Sequence, residues 1–366
     1  MRRALELARL GWGNTAPNPL VGAVVVSNDQ VVGEGFHARF GGDHAEVVAL
    51  RSAGDRARGA TMYVTLEPCA HFGKTPPCVN AIARAGVARV VIPVRDPSEL
   101  AAGGAAQLRR DGIAADIGCE RDAALELNAP FFNAHKSPLP WVTLKLAMSA
   151  DEAIAAPPPA DRWITGEAAR REVHVLRAGN DAVAVGIGTV LADDPMLTVR
   201  DALPPRCAPR RVVFDSSLRL PLESALVRST AASRAEDAGQ RLETIVIASP
   251  TADAERERQL VRAGVKVLRA ADLTEGLGQL RRLGVRSLLV EGGAKLAGGL
   301  LRDDLVHRLI TFRAPIRLGP GALGAWDFAP GDMRARLAAA PVVDARDFGV
   351  DRMTTYALQP VPCSQA

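Results

Sequence analysis

His44-Ala45-Glu46, followed by Pro68-Cys69 and Pro77-Cys78, is the part of the sequence that decides the fold of its first half. One imidazole and two thiolates leave the fourth position of a tetrahedral zinc ion open to water, as in catalytic zinc sites. Zinc lowers the pKa of that water to about 7. A carboxylate that is not a ligand can then carry a proton to a leaving amine. The pattern therefore predicts Zn²⁺ ligands at His44, Cys69 and Cys78, with Glu46 as the catalytic proton carrier of a hydrolytic deaminase.

Each part of this pattern also has an ordinary structural explanation. A His-x-Glu sequence alone is typical of a solvated helix start, and a separated pair of cysteines is typical of core thiols. Here the ligands fall at the starts of two predicted helices, where the partial positive charge of the helix N-terminus favours a thiolate. The combination favours a metal site over either ordinary explanation.

The composition predicts two globular domains. The chain has 366 residues, 48% of them hydrophobic and 23% charged, whereas one domain commonly has about 100–200 residues. Its net charge of +4 is dispersed and only 4% of residues are aromatic, so we expect small phosphorylated molecules rather than nucleic acid as partners. Five unevenly spaced cysteines, no secretory signal and no apolar run of about 18 residues predict a cytoplasmic protein that does not bind membranes.

Strands and helices alternate along the chain, which predicts an α/β layer fold. The segment 130–140 contains three prolines and has no periodicity, and it is the best predicted linker. We therefore expect a first domain at residues 1–139 and a second at residues 140–366.

Three stretches of the first half, residues 17–26, 44–46 and 65–78, together carry a resemblance to a known family. Eight residues separate the two cysteines, a longer gap than in most cytidine and nucleic-acid deaminases. The stretches resemble the deaminase domain of the bifunctional riboflavin-biosynthesis deaminase–reductases. The resemblance implies a cytidine-deaminase-like three-layer domain. It also implies hydrolytic deamination of 2,5-diamino-6-(5-phosphoribosylamino)pyrimidin-4(3H)-one.

By motif position, the resemblance also implies residues that bind this substrate. Asn18 would bond the pyrimidine edge, and the loop between the cysteines would bring His71, Lys74 and Thr75 over the site. A lysine there is a compact point charge for a phosphate. Two ordinary explanations stay open, with Lys74 as a solvated loop charge and Asn18 as a turn-forming residue.

One glycine-rich segment of the second half, Leu288–Leu301, has the pattern of an apolar strand, a Gly-Gly turn and a helix. Glycines let backbone N–H groups approach a pyrophosphate, and a helix N-terminus favours an anion. The spacing is not Gly-x-Gly-x-x-Gly, so a conventional dinucleotide domain is not expected. An ordinary strand–helix turn is an equal alternative.

Further segments at 163–166, 176–178 and 188–200, with the segment around Glu291, resemble the reductase domain of the same family. This implies a dihydrofolate-reductase-like fold, NADPH as the cofactor, reduction of the ribosyl group to ribityl, and a homo-oligomer, either dimer or tetramer. Implied substrate contacts are Arg177, Leu197, Arg200 and Glu291, with the arginines facing a 5-phosphate. Implied NADPH contacts are Met148, Trp163, Thr189, Asp193, Ser216, and Gly293, Ala294, Lys295, Leu296, Ala297, Gly298 and Gly299 as one turn.

The second half also departs from its family. Glu152 stands where the family usually has a glycine, and Asp161 adds an acid before Trp163. A lost glycine and an added acid both weaken the expected phosphate binding. Asp193 is equally explained as part of a capped turn before Pro195. The alternative hypothesis is therefore an active deaminase with a degenerate, structural reductase domain. A nucleic-acid base editor is a more distant alternative.

Overall fold

A computed structural model describes residues 1–73, 76–157, 163–233, 239–328 and 330–363 of the chain. The backbone divides into two compact units, Met1–Ser137 and Pro138–Pro360, and the segment that begins at Val361 groups with the first unit. Val361 packs there on an apolar cluster that includes Phe132. The sequence pattern assigns this segment to the second domain, because packing of a terminal segment leaves no local signal. None of the described helices is both long and apolar enough to cross a bilayer.

The first unit is built on a five-stranded sheet with the order β2-β1-β3-β4-β5. β2 and β3 pair antiparallel with β1, whereas β3, β4 and β5 are parallel. The strands are β1 (Gly22–Ser27), β2 (Gln30–Phe36), β3 (Thr61–Val64), β4 (Arg89–Ile92) and β5 (Ala114–Ile117). The helices are α1 (Arg2–Arg9), α2 (Ala45–Ala53), α3 (Cys78–Arg84), α4 (Gly104–Arg110), α5 (Arg121–Leu127) and α6 (Ala129–Lys136), with a 3₁₀ turn at Gly54–Ala57.

The two faces of β1 are covered by different helices. Ala23 and Val25 belong to the cluster that holds the buried residues of α2, α3 and α4, whereas Val24 packs with Ala4 and Leu7 of α1. Successive side chains of a strand point to opposite faces of its sheet. The first unit therefore has the predicted three layers of helix, sheet and helix.

Close packing of α2 on β2 depends on two glycines. A Cβ atom on Gly33 would lie 2.3 Å from the carbonyl oxygen of Ala49, and one on Gly35 would lie 2.5 Å from the amide nitrogen of Ala49. Only glycine fits such an approach. This contact sets the height of α2 over the sheet, and with it the position of His44 at the helix start.

The predicted linker at 130–140 is mostly helical, which corrects the sequence prediction. α6 covers most of it, with Pro130 in the first helical turn, where the missing N–H costs nothing. Phe132 is buried in the core of the first unit, and its packing stabilises the helix. The three prolines of the segment gave no sign of this packing.

The second unit has a nine-stranded sheet with the order β11-β10-β9-β8-β12-β6-β13-β16-β15. The strands from β11 to β13 are parallel, and β16 and β15 add an antiparallel hairpin at the β13 edge. These strands are β6 (Trp141–Met148), β8 (Ala182–Gly186), β9 (Arg210–Phe214), β10 (Thr244–Ala248), β11 (Lys266–Arg269), β12 (Ser287–Val290), β13 (Arg308–Arg313), β15 (Val342–Phe348) and β16 (Asp351–Ala357). A small second sheet pairs β7 (Ala153–Ala155) with β14 (Leu323–Gly324).

Helices cover both faces of this sheet as well. Ala182 and Ala184 of β8 face the cluster that contains α11 and α12, whereas Val183 and Val185 face the cluster that contains α8, α9 and α10. Burial on both faces explains the apolar runs of these strands. The helices are α7 (Glu167–Ala178), α8 (Ile187–Asp193), α9 (Ala225–Ala232), α10 (Ala254–Arg262), α11 (Leu273–Arg282), α12 (Ala294–Arg302) and α13 (Pro330–Ala339). The predicted α/β class is confirmed in both units.

Candidate catalytic and cofactor sites

The three predicted zinc ligands come together between the starts of two helices in the first unit. His44 is the N-cap of α2 and Cys78 is the first residue of α3. The Nδ1 atom of His44 is 3.2 Å from the Sγ atom of Cys78 and 3.7 Å from that of Cys69. All three ligand atoms lie within 4.8 Å of one another, a separation that suits bonds of about 2.0–2.3 Å to one ion.

The two sulfur atoms differ in their electrostatics. Cys69 accepts the backbone N–H of Cys78 at 3.3 Å. Its pKa is lowered, chiefly by the hydrogen bond from the Cys78 thiol and then by that from His44. The pKa of Cys78 is raised by its hydrogen bond to the Cys69 sulfur and by burial. The protein alone thus favours one thiolate, and a bound cation would replace the proton of the other.

Glu46 lies in the first turn of α2, beside the ligands but outside the three-atom cluster. It is only 4% exposed, and burial raises the pKa of its carboxyl group. The nearby His44 imidazole acts on this pKa in the opposite direction. A buried carboxyl group beside the three ligands is placed to take up and release a proton, which suits general acid–base work.

Asn18 is held by a histidine that the sequence analysis missed. The Nδ2 atom of Asn18 is 3.2 Å from Nε2 of His37, and Nδ1 of His37 is 3.0 Å from the carbonyl oxygen of Asp43. Because that carbonyl can only accept, Nδ1 carries the proton and Nε2 accepts from the Asn18 amide. The His37 ring also meets the His44 ring edge-on at 5.5 Å. The only sequence signal was a histidine near the Gly41-Gly42 turn.

Of the predicted loop residues, only His71 can be placed. Its Nδ1 atom is buried and has no hydrogen-bond partner within the described ranges. Lys74 and Thr75 lie outside the described residues. Buried polar atoms are normally paired, so His71 retains one unused hydrogen-bonding position.

Glu67 is a second buried carboxylate that the sequence analysis missed. Its two oxygens accept the backbone N–H groups of Ala105, at 2.9 Å, and Asp96, at 3.1 Å. The buried side chain therefore ties the loop at Asp96 and the start of α4 to the segment that carries Cys69. The sequence feature that could have indicated a buried role is the position of Glu67 between Leu66 and Pro68, next to Cys69.

In the second unit, Arg177 of α7 and Glu291, which follows β12, form a bidentate ion pair. Nε of Arg177 donates to Oε1 at 2.5 Å and Nη2 to Oε2 at 3.0 Å, while Nη1 donates to the carbonyl oxygen of Thr198 at 2.9 Å. The side chains are only 11% and 13% exposed. Arg177 was expected to face a phosphate. Its guanidinium instead engages protein oxygens with all three nitrogens.

Lys145, in the middle of β6, is a further polar residue that the sequence analysis missed. Burial lowers its pKa, and the nearby Glu291 carboxylate partly restores it. Its Nζ atom is 5.7 Å from the centroid of the Phe312 ring. A lysine within an otherwise apolar strand was the available signal.

The loop after α8 has an unusual backbone. Asp194 and Leu197 have left-handed φ values of 40° and 53°, a conformation that non-glycine residues adopt rarely and often near functional sites. Asp194 accepts the N–H of Ala225, the first residue of α9, at 2.7 Å. Asp194 rather than Asp193 is therefore the acid that caps a helix start here. Leu197 is buried, whereas Asp193 and Arg200 are exposed.

The segment from Gly293 to Gly299 is helical after its first residue, as the strand–turn–helix pattern of Leu288–Leu301 predicts. α12 begins at Ala294 with Gly293 as its N-cap. Leu296 and Ala297 pack in the core, and a Cβ atom on Gly298 would collide with Asp327. Gly299 packs near Leu273, while Lys295 is exposed. Only the first residues of the segment remain able to meet a ligand at the helix N-terminus.

The other predicted cofactor residues lie near the carboxyl ends of parallel strands. Met148 ends β6 and is buried, and Ser216 is exposed just after β9. Thr189 of α8 has its hydroxyl 3.6 Å from the position of a Cβ atom on Gly293. Trp163 is 50% exposed and lies 4.7 Å from the Arg170 guanidinium. Carboxyl ends of parallel strands are where open α/β sheets bind ligands.

The departure at Glu152 does not disturb the backbone. Glu152 keeps a left-handed φ of 61°, as a glycine would, and its carboxylate pairs with Arg334 at 3.1 Å and Arg313 at 3.6 Å. Asp151 accepts the backbone N–H of Gly319 at 2.9 Å. The turn is therefore retained with a charged residue. The other departure, Asp161, lies outside the described residues.

The folds and sites define a two-unit α/β protein whose first unit carries a deaminase-type set of metal-ligating side chains. Residues 1–94 match the family model of the cytidine and deoxycytidylate deaminase zinc-binding region, and residues 140–337 match that of the RibD C-terminal domain. The chain is 41% identical to riboflavin biosynthesis protein RibD of Aquifex aeolicus over 324 residues, 88% of this chain and 87% of that one. The Escherichia coli RibD protein is also 41% identical over 341 residues, 88% and 89% of the two chains.

Solved structures agree with this assignment. Acinetobacter baumannii RibD superposes with a TM-score of 0.80 at 36% identity and covers 97% of each chain. A deaminase/reductase from Thermotoga maritima gives 0.79 at 32% identity, over 98% of this chain and 97% of that one. The chain belongs to the RibD family. Its units have the predicted cytidine-deaminase-like and dihydrofolate-reductase-like folds.

Proposed function

We propose that this chain is a bifunctional deaminase–reductase of riboflavin biosynthesis, with the deaminase in the first unit and the reductase in the second. The substrate would be 2,5-diamino-6-(5-phosphoribosylamino)pyrimidin-4(3H)-one. The observation that carries the proposal is the cluster of His44, Cys69 and Cys78 beside the buried carboxyl of Glu46. Family membership supports the substrate, and the start of the second matched region at residue 140 supports a domain boundary near residue 139.

The deaminase step needs a metal and a proton carrier. The donor set of one imidazole and two sulfurs fits Zn²⁺, which when bound would supply a water of lowered pKa. Glu46 would hold the proton that the leaving amine needs and would release it to that amine. Its burial keeps the proton from exchanging with bulk solvent during the transfer.

Substrate orientation in this unit falls to polar groups around the cluster. The His37 hydrogen bond occupies the Asn18 amide nitrogen, which leaves the amide oxygen free to accept from the pyrimidine amino group. The Nδ1 atom of His71 has no hydrogen-bond partner among the described residues, which supports a contact with the ring or ribosyl group. Lys74 and Thr75 are proposed for the phosphate on the resemblance alone.

In the second unit we propose NADPH along the carboxyl ends of β6, β8, β9 and β12. The N–H groups at the start of α12, beside Gly293 and Thr189, would meet the pyrophosphate. Met148, Trp163, Asp193, Ser216, Ala294 and Lys295 complete the proposed cofactor contacts. Leu296, Ala297, Gly298 and Gly299 support the helix from its packed side.

The substrate of the reduction would bind between Glu291, Leu197 and the exposed Arg200. Arg177 holds the Glu291 carboxylate, and Lys145 adds a cation to the same buried group. Arg200 would then bind the phosphate, because the Arg177 guanidinium already donates hydrogen bonds to Glu291 and to the carbonyl oxygen of Thr198.

Cytoplasmic location and a homo-oligomer, either dimer or tetramer, remain proposals. Cys69, Cys78, Cys119 and Cys207 are thiols that form no disulfide, which fits a reducing compartment. Light scattering on the purified chain would measure the oligomeric state.

The test is a coupled assay on one sample, which measures zinc content, ammonia release and NADPH oxidation. Glu46→Gln should keep its zinc and its NADPH oxidation on deaminated substrate, but lose ammonia release by about a thousandfold or more. The exposed Glu6→Gln variant of the same unit is the matched control. Wild-type ammonia release by Glu46→Gln with zinc bound would overturn the deaminase mechanism. A wild-type chain that never oxidises NADPH would favour the structural reductase domain.

A further inference from the structure

The helix that carries Arg177 lacks a cap of its own. α7 starts after Gly166, which has no side chain to accept a hydrogen bond from the first backbone N–H groups. Uncapped helix starts leave such donors without partners. At this position the partner comes from a distant part of the chain.

Asp351, the first residue of β16, supplies that partner. Its Oδ2 atom accepts the N–H of Gly166 at 2.7 Å, and the residue is only 2% exposed. The carboxylate also sits where the positive end of the helix dipole favours negative charge. The residue lies beyond 140–337, the region that matches the RibD C-terminal family model.

This contact holds two parts of the proposed reductase site together. Arg170, near the start of α7, donates to the carbonyl of Thr165 at 2.6 Å and lies over the Trp163 ring, and both of these residues precede the helix. At the far end of the helix, Arg177 grips Glu291. Gly166 lies between the two. If Gly166 moved, the loop Trp163–Gly166 would move with it, and α7 would slide along its axis.

We propose that Asp351 is a positioning residue for the reduction, because it sets the Trp163–Gly166 loop and α7 through the Gly166 N–H. The proposal rests on the proposed function of the second unit. Asp351 touches neither ligand and acts through Gly166. Small displacements of this kind at a reacting centre are costly, since rate depends steeply on geometry.

The test compares Asp351→Ala and Asp351→Asn with the control Asp347→Ala. Asp347 lies in the same hairpin but is 63% exposed and pairs with Arg352 on the surface. Asp351→Ala should lower kcat/KM for NADPH oxidation by about tenfold or more, with ammonia release by the first unit unchanged. Asp351→Asn keeps an oxygen acceptor and should retain most activity, and Asp347→Ala should match wild type.

Wild-type reduction kinetics in Asp351→Ala, with only a lower melting temperature, would overturn the proposal and leave the proposed function intact. A wild-type protein without NADPH oxidation would overturn both. If Asp351→Ala does not fold, Gly166→Pro removes the donor instead, since the Gly166 φ of −69° suits proline. It should show the same loss of reduction, and wild-type reduction in this variant would count against the proposal.

Discussion

The guanidinium of Arg177 and the carboxylate of Glu291 bind each other through two hydrogen bonds, at 2.5 Å and 3.0 Å, and both side chains are largely buried. This pair joins the end of α7 to the end of β12, two elements more than a hundred residues apart. It therefore fixes α7 against the sheet of the second unit through a buried contact.

Breaking one side of this pair should destabilise the second unit. Arg177→Met leaves a buried carboxylate without its partner and should lower the free energy of unfolding by about 3 kcal/mol. The double variant Arg177→Met/Glu291→Gln should recover part of that loss while reduction stays impaired. Chemical denaturation and NADPH oxidation measure the two effects. Equal activity of the double variant and wild type would contradict a role for the pair in the reaction.

Loss of one sulfur should remove the metal. Cys78→Ser should reduce zinc from about one ion per chain to less than a tenth of that, and should abolish ammonia release, because a serine hydroxyl replaces a thiolate ligand. Cys207→Ser, at an exposed cysteine of the second unit, is the control. Metal analysis after dialysis measures the content. Full zinc in Cys78→Ser would exclude this residue as a ligand.

Two substitutions at Glu152 should separate backbone strain from charge. Both Glu152→Gly and Glu152→Ala remove the ion pairs with Arg334 and Arg313, but only alanine keeps the strain of the left-handed φ. The glycine variant should be the more stable of the two by about 1 kcal/mol. Thermal unfolding measures the difference. A more stable alanine variant would show that the turn does not require this backbone conformation.

Protonation of His307 should weaken the second unit in acid. Its Nδ1 accepts the Val142 N–H at 3.1 Å, and its ring stacks on Trp141 at 4.3 Å. Burial, assisted by Arg308, lowers the His307 pKa to about 4, against about 6.5 in an unfolded chain. The unfolded state therefore binds more protons between these values. The contribution of His307 to the free energy of unfolding is constant above about pH 6.5. It falls by up to about 3 kcal/mol as the pH drops to 4.

The comparison is between wild type and His307→Gln, with denaturant unfolding measured at steps between pH 4 and pH 7.5. Other groups titrate equally in both proteins, so the difference between the two curves reports His307. The wild-type curve should fall more steeply with acid. Parallel curves would mean that His307 does not set this dependence.

Local chemistry made part of this protein predictable from its sequence. The His-Ala-Glu and Pro-Cys motifs predicted a cluster that the fold does assemble, with His44 and Cys78 at the starts of two helices. Alternating strands and helices likewise predicted the α/β class. The motifs and the alternation are local patterns that a sequence displays directly, whereas only the fold brings the three ligands together.

Other features arose only in the tertiary structure. The Arg177–Glu291 pair, the Asp351 contact with Gly166 and the return of Val361 to the first unit each join residues far apart in the chain. The family resemblance implied Arg177 as a contact for the substrate phosphate, and in the folded chain its guanidinium binds the buried carboxylate of Glu291. By itself the sequence determined the metal chemistry and the fold class. Long-range packing decided which charged groups are already paired and which remain for a ligand, because only folding sets the distances between them.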